Sequence, residues 1–202
     1  NGIHPDTCSL YKETYIAFKE GESSTVSSLS IIGEQKFESL KFAFPTVANL
    51  GLNVFSTLGF HNIYLVGIDL GFIDKRHHHS RSSSYYDENG KELYDYSEDN
   101  NTSIMVAGNF RPRVNTKYEF KISRIIMEQI LAQNNKNCTI YNTSDGAKIA
   151  GTFPLRIENL LITVDQELKN NALNAIKSNA FEKIDGQQYK QNFAARFSAE
   201  KT

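Results

Sequence analysis

Tryptophan is absent from this chain of 202 residues, and cysteine and methionine occur only twice each. Cys8 and Cys138 lie far apart, with no CxxC or other metal-type spacing. Neither a disulfide framework nor a zinc cluster is expected, and a reduced, cytoplasmic compartment is the default. No apolar run approaches the roughly 20 residues that cross a bilayer. Charge of one sign is lacking too: 22 Lys and Arg face 23 Asp and Glu, giving a net charge of −1. That balance leaves no broad electrostatic footprint for nucleic acid. The start, "NGIHPDTCSL", has neither an initiator Met nor the apolar core of a signal peptide, and a piece of a longer protein is expected. Gly-rich phosphate loops, nucleophile elbows and HExxH patterns are missing as well.

What is present reads as a folded domain. Apolar residues make up 40% and charged residues 22%, and the length suffices for about one domain with a real core. The polar run "GESSTVSS" predicts a loop, and Ser28–Gly33 reads as a short buried strand. From Pro45 to Leu58, Val47, Leu50, Val54, Phe55 and Leu58 recur at helical spacing, with Pro at the start and Gly59 at the stop. The apolar run Ile63–Val66 follows a short turn and predicts a strand covered on both faces, as in a parallel sheet. Helix, turn and buried strand make an α/β unit.

Residues 73–103 are polar and long for a loop, with Asn89-Gly90 a turn signal, and predict a lid or a surface excursion. "IMVAGN" predicts a strand and 117–133 a strong helix with Tyr118, Ile122, Ile125, Ile126 and Ile130 on one face. A strand at Cys138–Tyr141 leads into a turn-rich segment, and two weakly amphipathic helices close the chain. The expected architecture is α/β: a Rossmann-like three-layer domain with a mainly parallel sheet over residues 1–164, and a C-terminal helical segment over 165–202.

Ligands of open α/β sheets bind beyond the carboxyl ends of the strands. Two polar clusters fall there: "GIDLGF", with Asp69, and "YNTSDGAKIAGT", with Asn142, Ser144, Asp145 and Gly146. Turn chemistry alone favours the same residue types, so each cluster has two readings, a turn or half of a shared pocket. Spacing leaves Asp69 able to bind a metal, orient a ribose or cap a turn. In "HHHSRSSSYY" consecutive side chains alternate direction in extended chain, which makes a metal site weak. One imidazole, His79, can instead act as a general base toward a hydroxyl. Arg111 and Arg113, just ahead of the expected helix, can meet a phosphate or carboxylate or stay solvated.

As a set, "FPTVANLGLNVFSTLGFHNIYLVGIDLGF", "HHHSRSSSYY" and "YNTSDGAKIAGT" resemble the motility accessory factor family of bacterial flagellin glycosyltransferases. The likeness runs from about Ser28 to Leu161. That family shares a domain with an archaeal hydroxymethylpterin pyrophosphokinase and resembles bacterial sialyltransferases. The resemblance implies transfer of a nonulosonic acid, of pseudaminic or legionaminic type, from a CMP-sugar donor to Ser or Thr of flagellin. No cofactor or metal is implied beyond that donor. On this mapping Thr46, Asn49 and Asp69 lie at the nucleotide, His79 and Tyr85 flank the reacting carbon as catalytic residues, and Asn142, Ser144, Asp145 and Gly146 close the pocket. The family's nucleotide loop of Gly and Ser, which should precede this region, is missing from the chain. The alternatives are a Mg²⁺-dependent pterin pyrophosphokinase-like enzyme and a non-catalytic module that binds flagellin.

Overall fold

The computed structural model describes residues 4–32, 37–74, 84–91, 93, 104–134 and 138–199. Two compact units divide the chain: Phe42–Ile162, and Asn1–Lys41 together with Thr163–Thr202.

In the larger unit, helix α3 (Val47–Thr57) precedes strand β1 (Asn62–Leu65), and helix α4 (Tyr118–Asn134) precedes strand β4 (Thr139–Asn142). Strands β1 and β4 pair in parallel, Asn62 opposite Thr139 through Leu65 opposite Asn142, and the two-residue β5 (Phe153–Pro154) adds to β4. This is the expected α/β, Rossmann-like arrangement. An antiparallel hairpin of β2 (Ile104–Ala107) and β3 (Arg113–Thr116) stands apart from the parallel sheet. The strand β3 was not anticipated, because "RVNT" buries only Val114 and Thr116 on alternate positions and shows no apolar run.

Local chemistry sets the ends of α3. Thr46 caps it reciprocally with Asn49, so Pro45 lies outside the helix that was expected to include it. At the other end Gly59, at φ 81°, follows the C-cap. The amide of Phe60 donates to the Phe55 carbonyl (3.2 Å) and that of Gly59 to Ser56 (3.2 Å), a Schellman stop. The Phe55 and Phe60 rings meet edge-on at 5.4 Å across it.

The core lies between these helices and one face of the sheet, where Leu52, Ile63, Leu65, Met127, Ile130, Leu131 and Ile140 cluster. On the opposite face Tyr64 and Tyr141 stack at 5.0 Å. Both helices are rotated from the expected faces. In α3 the buried positions are Asn49, Leu52 and Asn53, while Val47 and Phe55 are exposed. In α4 they are Ser123, Ile126, Met127, Ile130 and Leu131, and Tyr118 is exposed.

The smaller unit is helical: α1 (Pro5–Ser9), α2 (Ser23–Ile32), α5 (Gln166–Asn179) and α6 (Gly186–Ala199). Helix α2 corrects both the loop expected at "GESSTVSS" and the strand expected at Ser28–Gly33. Thr25 and Ile31 are buried and Ser28, Leu29 and Ile32 partly so, a helical face concealed by two hydroxyl residues. Asn192 of α6 donates to the Ile31 carbonyl at 2.8 Å, and Arg196 meets Ser30. Lys177 of α5 pairs with Glu13. Among the described residues no helix is long and apolar enough to cross a membrane.

Candidate functional site

The loops that leave β1 and β4 meet at one point. A Cβ on Gly146 would lie 1.9 Å from the Asp69 carbonyl oxygen and 2.6 Å from its Cα. Only glycine admits that approach. The junction is sewn by the Ala147 amide, which donates to the Asp69 carbonyl at 2.7 Å, and by Thr143, whose amide and hydroxyl both reach the Leu65 carbonyl. Leu70, next in line, holds φ 47° and is buried, with its carbonyl accepting from the Thr116 hydroxyl at 2.8 Å. Two strand-end loops therefore form one rim.

The β2–β3 hairpin closes this rim from the side. The Asn109 amide donates to the Gly146 carbonyl at 2.9 Å, and its side-chain amide donates to the carbonyls of Asn142 and Ser144, both at 2.9 Å. Arg156 lies 4.9 Å from the centre of the Phe110 ring, pinning the turn. Arg111 directs Nε (2.8 Å) and Nη2 (2.7 Å) at Oδ2 of Asp145. Asn109 was not placed at the site by sequence, and Arg111 was read only as able to meet a phosphate or carboxylate or to stay solvated. Their partners are more than thirty residues away, and only the fold brings them together.

Within the rim the expected residues take different parts. Asn142 is fully buried; its Oδ1 accepts from the Ser144 amide at 3.0 Å, an Asx turn that shapes the loop. Ser144 is buried, and its hydroxyl has no hydrogen-bond partner among the described residues. A buried hydroxyl left unmatched is costly. Asp69 and Asp145 are exposed at the rim. Loss of water around Asp69, and then the negative charge of Asp145, raise the Asp69 carboxyl above its ordinary pKa.

Thr46 and Asn49 form a separate cluster at the start of α3. Oδ1 of Asn49 accepts from the hydroxyls of Thr46 (2.6 Å) and Ser123 (2.7 Å), while Nδ2 donates to the Ser123 carbonyl at 2.9 Å. The capping box occupies the amides of Thr46 and Asn49 as well. Tyr85 lies elsewhere, in a tight reversal. Its carbonyl accepts from the Leu93 amide (3.0 Å), and Asp87 Oδ1 accepts from the amides of Asn89 and Lys91. Gly90, at φ 76°, occupies the turn expected at Asn89-Gly90. His79 lies outside the described residues. Among those residues no group of three or more His, Cys, Asp or Glu is arranged to hold a metal ion.

With this geometry the chain is similar to a solved structure, the MAf glycosyltransferase from Magnetospirillum magneticum AMB-1, at a TM-score of 0.63 and 22% sequence identity. The fold of this chain is similar to that of part of the MAf enzyme. The match covers 84% of this chain but 23% of the MAf enzyme, so this chain spans under a quarter of that protein. No family model and no curated protein matches the sequence. At this identity the likeness to the MAf enzyme establishes the fold, and the resemblance expected from sequence holds at that level.

Proposed function

We propose that the chain carries the nucleotide-sugar crevice of a glycosyltransferase, formed where the β1 and β4 loops meet. The observation that carries this reading is the unmatched Ser144 hydroxyl inside a rim closed by Gly146, in a fold shared with a MAf glycosyltransferase. The donor in this reading is a CMP-linked nonulosonic acid and the acceptor a Ser or Thr of flagellin, in the cytoplasm. Breaking the bond between the anomeric carbon and the phosphate oxygen leaves CMP. Hydroxyl and amide donors at strand ends can stabilise its phosphate as charge develops. Ser144 supplies one such donor. Asp69, whose carboxyl is raised above its ordinary pKa, is suited to hydrogen-bond a ribose hydroxyl. His79 and Tyr85 are assigned to the acceptor side, where an imidazole would take the proton of the attacking hydroxyl.

Isothermal titration of the chain with CMP and with a CMP-linked acidic sugar tests the reading. Saturable binding with one site per chain is expected. Heat release no greater than with uridine or adenosine monophosphate would remove the CMP assignment.

A further inference from the structure

The solvent face of the β2–β3 hairpin holds a concavity of about 270 Å³, distinct from the Ser144 rim. Register explains it. Met105 pairs with Asn115 and Ala107 with Arg113, so these four residues share one face while Val114 and Thr116 turn into the core. Ala107 offers only a methyl opposite Arg113, which leaves room beside the guanidinium. Met105 (58% exposed) and Ile73 (60% exposed) give the pocket an apolar wall. Asn115 is fixed there by donating to the Ile73 carbonyl at 3.0 Å.

The two arginines that line this pocket differ. Arg111 is held by Asp145 through two nitrogens. The Arg113 side chain has no hydrogen-bond or ion-pair partner among the described residues, although it projects from a strand anchored on both sides. A guanidinium placed beside an apolar wall, with its planar donors open, matches an oxyanion on a partly apolar body. We propose that this pocket is an anion subsite for a carboxylate or a phosphate, bound by Arg113 with Arg111 as the second cation. Because Arg111 also grips Asp145, the subsite and the strand-end rim share one residue. An anion in the pocket draws Arg111 from Asp145 and so tunes the charge beside Asp69. The inference does not depend on the glycosyltransferase reading.

Side-chain Nε–H resonances of Arg111 and Arg113, followed by ¹H–¹⁵N spectroscopy on the whole chain, test it. The probes are inorganic phosphate, N-acetylneuraminate (a carboxylate without phosphate) and CMP (a phosphate without carboxylate). A saturable shift of the Arg113 resonance with any of the three is expected, and the arm that produces it identifies the anion. Arg113→Gln, at an exposed position, should melt like the parent and weaken that binding about tenfold or more. Arg113→Lys should retain part of the affinity, because the charge remains while the fork is lost. Absence of a shift with all three probes, or binding unaltered in R113Q, overturns the subsite. A shift at Arg113 with CMP unable to bind the Ser144 rim would defeat the proposed function and leave the subsite standing.

Discussion

Two polar clusters of the larger unit look alike in composition and behave differently in the fold. At the start of α3, Thr46, Asn49 and Ser123 are part-buried or fully buried, and Asn49 answers each of its neighbours with a hydrogen bond. At the ends of β1 and β4, the Ser144 hydroxyl is buried and unmatched among the described residues, Asp145 pairs with Arg111, and Asp69 lies close enough to Asp145 to feel its charge. The first cluster is complete within the protein, and it fastens α3 to α4. The second leaves the Ser144 hydroxyl without a partner among the described residues. Polar identity therefore says little about function until the hydrogen bonds are counted.

Substitutions can break this contrast or sharpen it. The largest effect is expected for Gly146→Ala, whose Cβ would collide with the Asp69 backbone at 1.9 Å. The two loops must part, and a loss of about 3 kcal/mol in urea unfolding is predicted, together with loss of ligand binding. Asn49→Ala comes next. It removes the oxygen that accepts from the Thr46 and Ser123 hydroxyls and should cost about 2 kcal/mol, with CMP affinity per folded molecule unchanged. A specific loss of CMP affinity in that variant would place Asn49 in the ligand site and erase the contrast between the clusters.

Asp145→Asn is smaller in stability, below about 1 kcal/mol, because the pair with Arg111 is half exposed and water competes for it. Its larger readout is titration: with a negative neighbour removed, the Asp69 pKa should fall toward the ordinary carboxylate range, measurable from its carboxyl ¹³C shift. Smallest of all is the pH effect of Asp69 itself. Its carboxyl titrates higher folded than unfolded, so the folded state binds more protons between those two values. Stability contributed by this group is present in acid and is lost as pH rises through the raised value. Asp69→Asn should flatten that slope, and an unchanged slope in pH-dependent denaturation would show the carboxyl to be unperturbed.

Much of the frame was legible in the sequence, for physical reasons. Strands β1 and β4 are short apolar runs closed by turn residues, and α3 and α4 carry strong helical periodicity, so pattern alone found them. Pattern failed where burial fell on polar residues. The inner face of α3 is Asn49, Leu52 and Asn53, that of α4 includes Ser123, and the covered face of α2 includes Thr25 and Ser28. Strand β3 escaped because its partners across the hairpin, and not its own composition, make it a strand. At the site, Asp69 and the Asn142–Gly146 turn were found from their place after the strands. Asn109 was not, and the Asp145 partner of Arg111 was not foreseen, since these contacts span more than thirty residues of chain. Gly146 read as a turn glycine, yet it is required by the backbone it faces, a demand that no local rule encodes.

The central claim is that the unmatched hydroxyl of Ser144 awaits a ligand, and calorimetric titration of CMP into the parent and Ser144→Ala tests it most directly. Removing an unmatched buried hydroxyl should leave thermal stability equal or slightly higher while weakening CMP binding several-fold. Equal affinity in the two proteins, or a marked loss of stability in Ser144→Ala, would contradict the account.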